Sequence, residues 1–113
     1  MVKNKIHYTA ESRRDLDAIW DYSASDLQNV SAAERIVSRI MDDVDRLESH
    51  AEMGALLSSI ADVESDYRFL VTGSYLTFYR VHDSNVYVDR VLYGRRDYLR
   101  ILFGETQDEE TTD

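Results

Sequence analysis

The sequence predicts an α+β domain, and three observations carry that reading. Residues 67–103, YRFLVTGSYLTFYRVHDSNVYVDRVLYGRRDYLRILF, read as three strands joined by two tight turns and closed by a short helix. Two amphipathic helical patterns precede them, and a short strand pattern precedes those. The expected order is therefore β-α-α-β-β-β with a short C-terminal helix: an antiparallel meander with a helical hairpin on one face of the sheet.

In chain order, residues 5–9 (KIHYT) set Ile6 and Tyr8 on one face of a strand and His7 on the other. Thr9 can cap the helix that follows. From Ala10 to about Gln28, Leu16, Ile19, Trp20 and Leu27 fall near helical spacing, with Arg13, Arg14, Asp17 and Asp21 outside that stripe. Ser31 and Glu34 then have the spacing of a capping box, so a second helix is expected to start there. Its stripe of Ala33, Ile36, Val37, Ile40, Val44 and Leu47 continues to about Glu48.

Residues 49–66 show no sustained period; Gly54 is expected to end the helical region, and the Leu56–Leu57 pair to tuck under a crossing loop. Strands at 67–72, 75–82 and 86–93 are rich in Tyr, Phe, Val and Leu, with Gly73-Ser74 and Asp83-Ser84-Asn85 between them as turns. Gly94 breaks the last strand, and Leu99, Leu102 and Phe103 dock a final helical turn before Gly104. The expected organisation is one domain, residues 1–104, followed by a disordered acidic tail, ETQDEETTD, at 105–113.

Composition bounds the function. The chain has 113 residues, enough to bury roughly two-thirds of its unfolded surface without a staple. It contains no cysteine, which removes thiolate chemistry and suits a reducing cytoplasm. The opening MVKNKIHYTAESRRD turns charged at once, and no stretch approaches the ~20 apolar residues of a membrane span, so a cytoplasmic protein without a membrane partner is expected. Net charge is −9, distributed as +2 over residues 1–9, −9 over 10–66, +3 over 67–104 and −5 over 105–113. Nearly half of the positive charge lies in the C-terminal half: six of the 13 Lys and Arg residues are Arg68, Arg80, Arg90, Arg95, Arg96 and Arg100.

Arg68, Arg80 and Arg90 fall one to a strand, and in simple register they would converge on one side of the sheet. Guanidinium groups so placed can grip an oxyanion with paired hydrogen bonds; the competing reading makes each a salt-bridged surface residue. Tyr93 and Tyr98 flank Gly94-Arg95-Arg96-Asp97 at the strand exit, where loops carry function. His7, His50 and His82 lack metal-ligand spacing, and no phosphate loop or nucleophile elbow is present, so neither metal nor cofactor is expected.

These residues, taken together, resemble the RelE/ParE family of bacterial toxins across about residues 5–103. The resemblance rests on Asp15-Leu16 and Ile19, Tyr67-Arg68, Phe78-Tyr79-Arg80, and Arg90-Val91-Leu92-Tyr93-Gly94-Arg95-Arg96-Asp97-Tyr98, in that order. It implies the toxin half of a type II toxin–antitoxin pair, neutralised by a cognate antitoxin protein. RelE-like members cleave mRNA on the ribosome, whereas ParE-like members inhibit DNA gyrase and have no known hydrolytic site. Carried over by position, Arg68 and Arg90 would stabilise phosphate, Tyr93 or Tyr98 would act as acid or base, and Arg80, Arg95 and Arg96 would bind RNA or another target. Tyr93 stands where the family often has His, and the surface is acidic. Both mechanisms stay open at this point, as does a non-enzymatic module retained for binding an antitoxin.

Overall fold

The computed structural model describes residues 3–26, 28–94 and 97–104. Strand β1 (Lys5–Tyr8) leads into helix α1 (Ala10–Asp21), a π-helical turn (Tyr22–Asp26), helix α2 (Val30–Asp45) and a 3-10 turn (Arg46–Glu48). Strand β2 (Ala55–Leu56) and a second 3-10 turn (Leu57–Ser59) follow, then β3 (Arg68–Thr72), β4 (Tyr75–His82), β5 (Asn85–Tyr93) and helix α3 (Tyr98–Phe103). The sheet order is β1-β5-β4-β3-β2. β1 runs parallel to β5, while the other neighbours are antiparallel. The expected α+β architecture with a C-terminal meander is the one observed, with β2 added at one edge.

Local chemistry sets the boundaries. Thr9 caps α1 as expected, its hydroxyl accepting from Ser12 N at 3.1 Å, and the same hydroxyl donates to Asp89 O at 3.0 Å. One side chain thus starts the helix and fastens it to β5. The first helix was expected to continue to about Gln28, but regular α-helix ends at Asp21 and the chain widens into the π-turn. Gln28 adopts φ +52, and Asn29 N reaches back to Ser23 O at 3.4 Å. A left-handed residue there reverses the chain, as at many helix ends. Leu27, assigned to the stripe, lies outside the described residues.

The second helix begins earlier than the Ser31–Glu34 pattern indicates. Asn29 is its cap, with extended backbone and its side-chain oxygen accepting from Ala32 N at 3.0 Å. Asn and Ser are equally good caps, and Asn29 is the first residue to leave the reversing turn, so Ser31 falls inside the first helical turn. The Gly73-Ser74 turn is as expected, whereas the second turn is Asp83-Ser84 alone, Asn85 already pairing with His82 in β5; Gly73 at φ +58 and Asp83 at φ +55 occupy the left-handed region that two-residue hairpin loops require.

Two cores sandwich the sheet. On one face, Leu16 and Ile19 of α1 and Ile40 and Val44 of α2 pack on Leu70, Tyr79, Val86, Val88 and Val91. On the other, Leu57, Phe69, Phe78 and Leu92 are covered by Tyr98, Leu99, Ile101 and Leu102 of α3. The Leu56–Leu57 pair divides: Leu57 is fully buried, but Leu56 sits on the edge strand and is 42% exposed.

Gly54 does not end a helix. It lies where the chain passes under Tyr79, whose hydroxyl accepts from Gly54 N at 3.0 Å and donates to Ala51 O at 2.8 Å. A β-carbon at residue 54 would stand 2.6 Å from that hydroxyl and 2.7 Å from Phe69 O. Backbone on one side and a buried ring on the other leave no room to relax. Gly54→Ala is therefore expected to cost about 1–3 kcal/mol, the usual penalty of overpacking, read as a lower urea midpoint with unchanged slope; a midpoint equal to the parent would contradict the contact.

Tyr8 offers a second test. Its hydroxyl is buried with no hydrogen-bond partner among the described residues, and its pKa is pushed up to about 12, chiefly by burial and secondarily by Asp45. Folding thus favours the neutral phenol. That contribution is complete below the ordinary tyrosine value of ~10 and is lost as pH rises toward 12. Thermal melts of the parent should decline over that interval, and Tyr8→Phe, which deletes an unpartnered polar atom, should match the parent at pH 7 and decline less.

Candidate functional site

The polar centre of the molecule arises from an irregularity in β5. Phe78 pairs with Arg90 while Tyr79 pairs with Val88, so Asp89 is an extra residue, a β-bulge. Val88 and Val91 both enter the core beneath α1 and α2. The two residues between them, Asp89 and Arg90, are consequently both left out of it.

Asp89 collects three donors: Arg80 Nε at 2.7 Å, Arg80 Nη2 at 3.4 Å and the Tyr67 hydroxyl at 2.9 Å. Arg80 in turn lies between two aromatic rings, its guanidinium carbon 5.9 Å from the centroids of both Tyr67 and Tyr87. The imidazole of His7 stacks on Tyr87 at 5.0 Å. Register produces this row, since His7 is opposite Tyr87 and Tyr87 opposite Arg80. The rings therefore stand one against another across the strands, with the Arg80 side chain, 43% exposed, between Tyr67 and Tyr87.

Arg90 turns toward α1. Its Nε and Nη2 donate to the two carboxylate oxygens of Asp15 at 2.7 and 2.9 Å, and Asp15 also accepts from Val91 N at 2.9 Å. A pocket of about 340 Å³, lined by Thr9, Glu11, Tyr67, Asp89, Arg90, Ile101 and Leu102, separates this pair from α3. Burial, followed by the hydrogen bond to Asp89, pushes the Tyr67 phenol up to about 12. Arg80 and Arg90 are both held more firmly protonated by their carboxylate hydrogen bonds. A phosphate gripped bidentately by either arginine would have to displace Asp89 or Asp15.

The three strand arginines expected to converge have separate partners. Arg80 and Arg90 flank Tyr67, but Arg68 donates through Nη1 to Gly54 O at 2.8 Å and Glu52 O at 3.2 Å, holding the chain before β2 against β3. Tyr93 is 44% exposed and meets Tyr75 edge to face at 5.9 Å. It borders a groove of about 520 Å³ with Ile19 and Tyr22 on the helical side. Tyr98 belongs to the other face, its ring 5.3 Å from Phe78. The two tyrosines therefore do not share a site, and Arg95 and Arg96 lie outside the described residues.

Sequence reasoning singled out neither Asp89 nor Tyr67 as a site residue. A signal for Asp89 was present: in Val88-Asp89-Arg90-Val91 two polar residues in succession interrupt the alternation that a regular strand keeps. Nothing in the sequence pairs Asp15 with Arg90, because the partners are 75 residues apart.

Comparison with known proteins agrees with this architecture. A sequence model of the family described as the ParE toxin of the type II toxin–antitoxin system, parDE, matches residues 6–98. A search of curated protein sequences gave no match. Among solved structures, a chain of the chromosomal ParDE toxin–antitoxin system from P. aeruginosa superposes with a TM-score of 0.68 at 24% identity, covering 80% of this chain and 96% of that one. A chain of the RelBE2 toxin–antitoxin complex from Mycobacterium tuberculosis gives 0.45 at 19% identity, covering 82% and 93%. The family match spans all but the edges of the described domain, and the chain therefore belongs to the ParE toxin family of type II toxin–antitoxin systems.

Proposed function

We propose that this chain is a growth-inhibiting toxin that acts in the cytoplasm on DNA gyrase by protein docking, without hydrolysing RNA, and that a cognate antitoxin neutralises it. Membership of the ParE family supports the first part. The observation that carries the choice of mechanism is the state of the strand arginines. Arg80 is bound to Asp89, Arg90 to Asp15 and Arg68 to backbone carbonyls. Among the described residues, the two tyrosines expected to move protons are on different faces of the sheet. Phosphate-ester cleavage needs an acid or base within hydrogen-bond reach of the reacting oxygen and cations converging on the phosphate. A charge-balanced, aromatic-lined surface instead suits recognition of a protein. The apolar groove bordered by Tyr22, Tyr75 and Tyr93 supports an antitoxin partner, because it can seat the apolar face of a helix.

Expression of the chain alone in bacteria is expected to arrest growth, with supercoiling by gyrase inhibited and ribosome-bound mRNA intact. Arg80→Ala, which removes the middle of the aromatic row, should weaken gyrase inhibition about tenfold, a loss of ~1.4 kcal/mol, while circular dichroism at 25 °C stays unchanged. Arrest accompanied by cleaved mRNA that disappears in Arg68→Ala and Tyr93→Phe would overturn the gyrase assignment in favour of a ribosome-dependent endoribonuclease. Folded protein that accumulates without arresting growth, yet binds the antitoxin encoded beside it, would replace toxicity with a purely regulatory role.

A further inference from the structure

Arg80 is anchored along one edge and open at the other. Its Nε and Nη2 donate to Asp89 at 2.7 and 3.4 Å, whereas Nη1 donates to no group among the described residues. A guanidinium held in this way presents N–H donors in a fixed fork to whatever approaches the sheet. The Asp89 carboxylate alone would not fix it, because a carboxylate turns easily about its terminal torsion and would carry the guanidinium with it.

Tyr67 removes that freedom in two ways. Its hydroxyl donates to Asp89 Oδ2 at 2.9 Å, the same oxygen that accepts from Arg80 Nε, so the carboxylate is pinned from a second direction. Its ring also lies against the guanidinium, opposite the ring of Tyr87. The Tyr67 ring is itself held, meeting Phe103 of α3 edge to face at 5.8 Å. The Asp89 side chain is only 13% exposed, so water competes poorly for either bond. Because burial, and after it the bond to Asp89, pushes the phenol up to about 12, Tyr67 keeps its proton and stays a donor through the neutral range.

We propose that Tyr67 is the positioning residue of Arg80: acting through the Asp89 carboxylate, it holds the guanidinium in one orientation and leaves Nη1 available to a hydrogen-bond acceptor on the target protein. The inference rests on the reading of the Arg80 row as the surface that meets gyrase. It adds the reason an arginine can serve there, since a side chain ordered before contact gives up little rotamer freedom on contact. Tyr67 works through Arg80 and not beside it.

Tyr67→Phe isolates the hydroxyl, because the ring against Arg80 and Phe103 is kept. The first measurement is made on the free, nitrogen-15-labelled full chain, where the Arg80 Nε–H resonance is identified by its absence in Arg80→Ala. In Tyr67→Phe this proton is expected to exchange with water about fivefold faster than in the parent, with circular dichroism unchanged. A role confined to packing would not move it, and an unchanged rate overturns the proposal. Gyrase supercoiling assays then close a double-mutant cycle. Tyr67→Phe is expected to weaken inhibition about threefold, and Tyr67→Phe/Arg80→Ala to weaken it no more than Arg80→Ala alone. Losses that multiply in the double variant would place Tyr67 in direct contact with the target and overturn the positioning role. The two readings fail separately: Arg80→Ala that inhibits as well as the parent overturns the row as the gyrase surface, and with it the use made of Tyr67. A weakened Arg80→Ala beside an unaffected Tyr67→Phe overturns the positioning role alone.

Discussion

The contact on which the rest of the structure depends is the carboxylate of Asp15. It takes both donors of the Arg90 fork and the backbone N–H of Val91. Both side chains are mostly withdrawn from solvent, at 12% and 26% exposure. β1 pairs with β5 only as far as Val88, so beyond that point β5 would have an open edge. α1 takes over where β1 stops: Thr9 bonds to the Val88 and Asp89 carbonyls, and Asp15 to the next free amide. A helix side chain thus finishes the work of a strand. A buried ion pair whose remaining lone pairs are satisfied tolerates its desolvation, and losing one partner would strand the other.

The bulge follows from the same arrangement. Regular alternation from Val88 would set Asp89 opposite the helices and return Arg90 to the core beneath them; the additional residue keeps Arg90 out of that core and within reach of α1, while Asp89 stands beside Arg80 and Tyr67. The bulge therefore leaves two successive polar residues out of the core, each with its own cluster. It also explains why positive charge concentrated in the strands does not become a vacant cationic surface: Asp89 and Asp15 are delivered to the very guanidinium groups that the strands carry.

Much of this was legible in the chain. Alternating Tyr, Val and Phe with Gly-Ser and Asp-Ser turns located β3 to β5, because hairpin register is a local property. The α1 and α2 stripes were equally plain, and Thr9 was the cap expected. Boundaries set by backbone reversal were not: Asn29 outcompeted Ser31 because a left-handed Gln28 immediately precedes it. The edge strand Ala55–Leu56 has only two residues and no period to detect. At the site, Arg80 and Arg90 were legible as strand arginines, but their carboxylates were not, since Asp15 comes from another element. A phosphate-stabilising role for Arg68 was what the resemblance implied; in the structure its guanidinium bonds the backbone carbonyls before β2, a neighbour that only the fold supplies.

The parallel pairing of β1 with β5 has a further consequence for how the protein comes into being. Lys5 lies opposite Asn85, so the first strand synthesised must wait for nearly the last before its edge is covered. Contacts of such sequence separation form late, because most of the loop-closure entropy precedes their reward. The helical hairpin can form early on the nascent chain, but α1 has nothing to fasten to until Arg90 and Val91 have emerged. The complete fold therefore appears only after synthesis is nearly finished, and until then the apolar stripes of the two helices stand without the sheet face that will cover them.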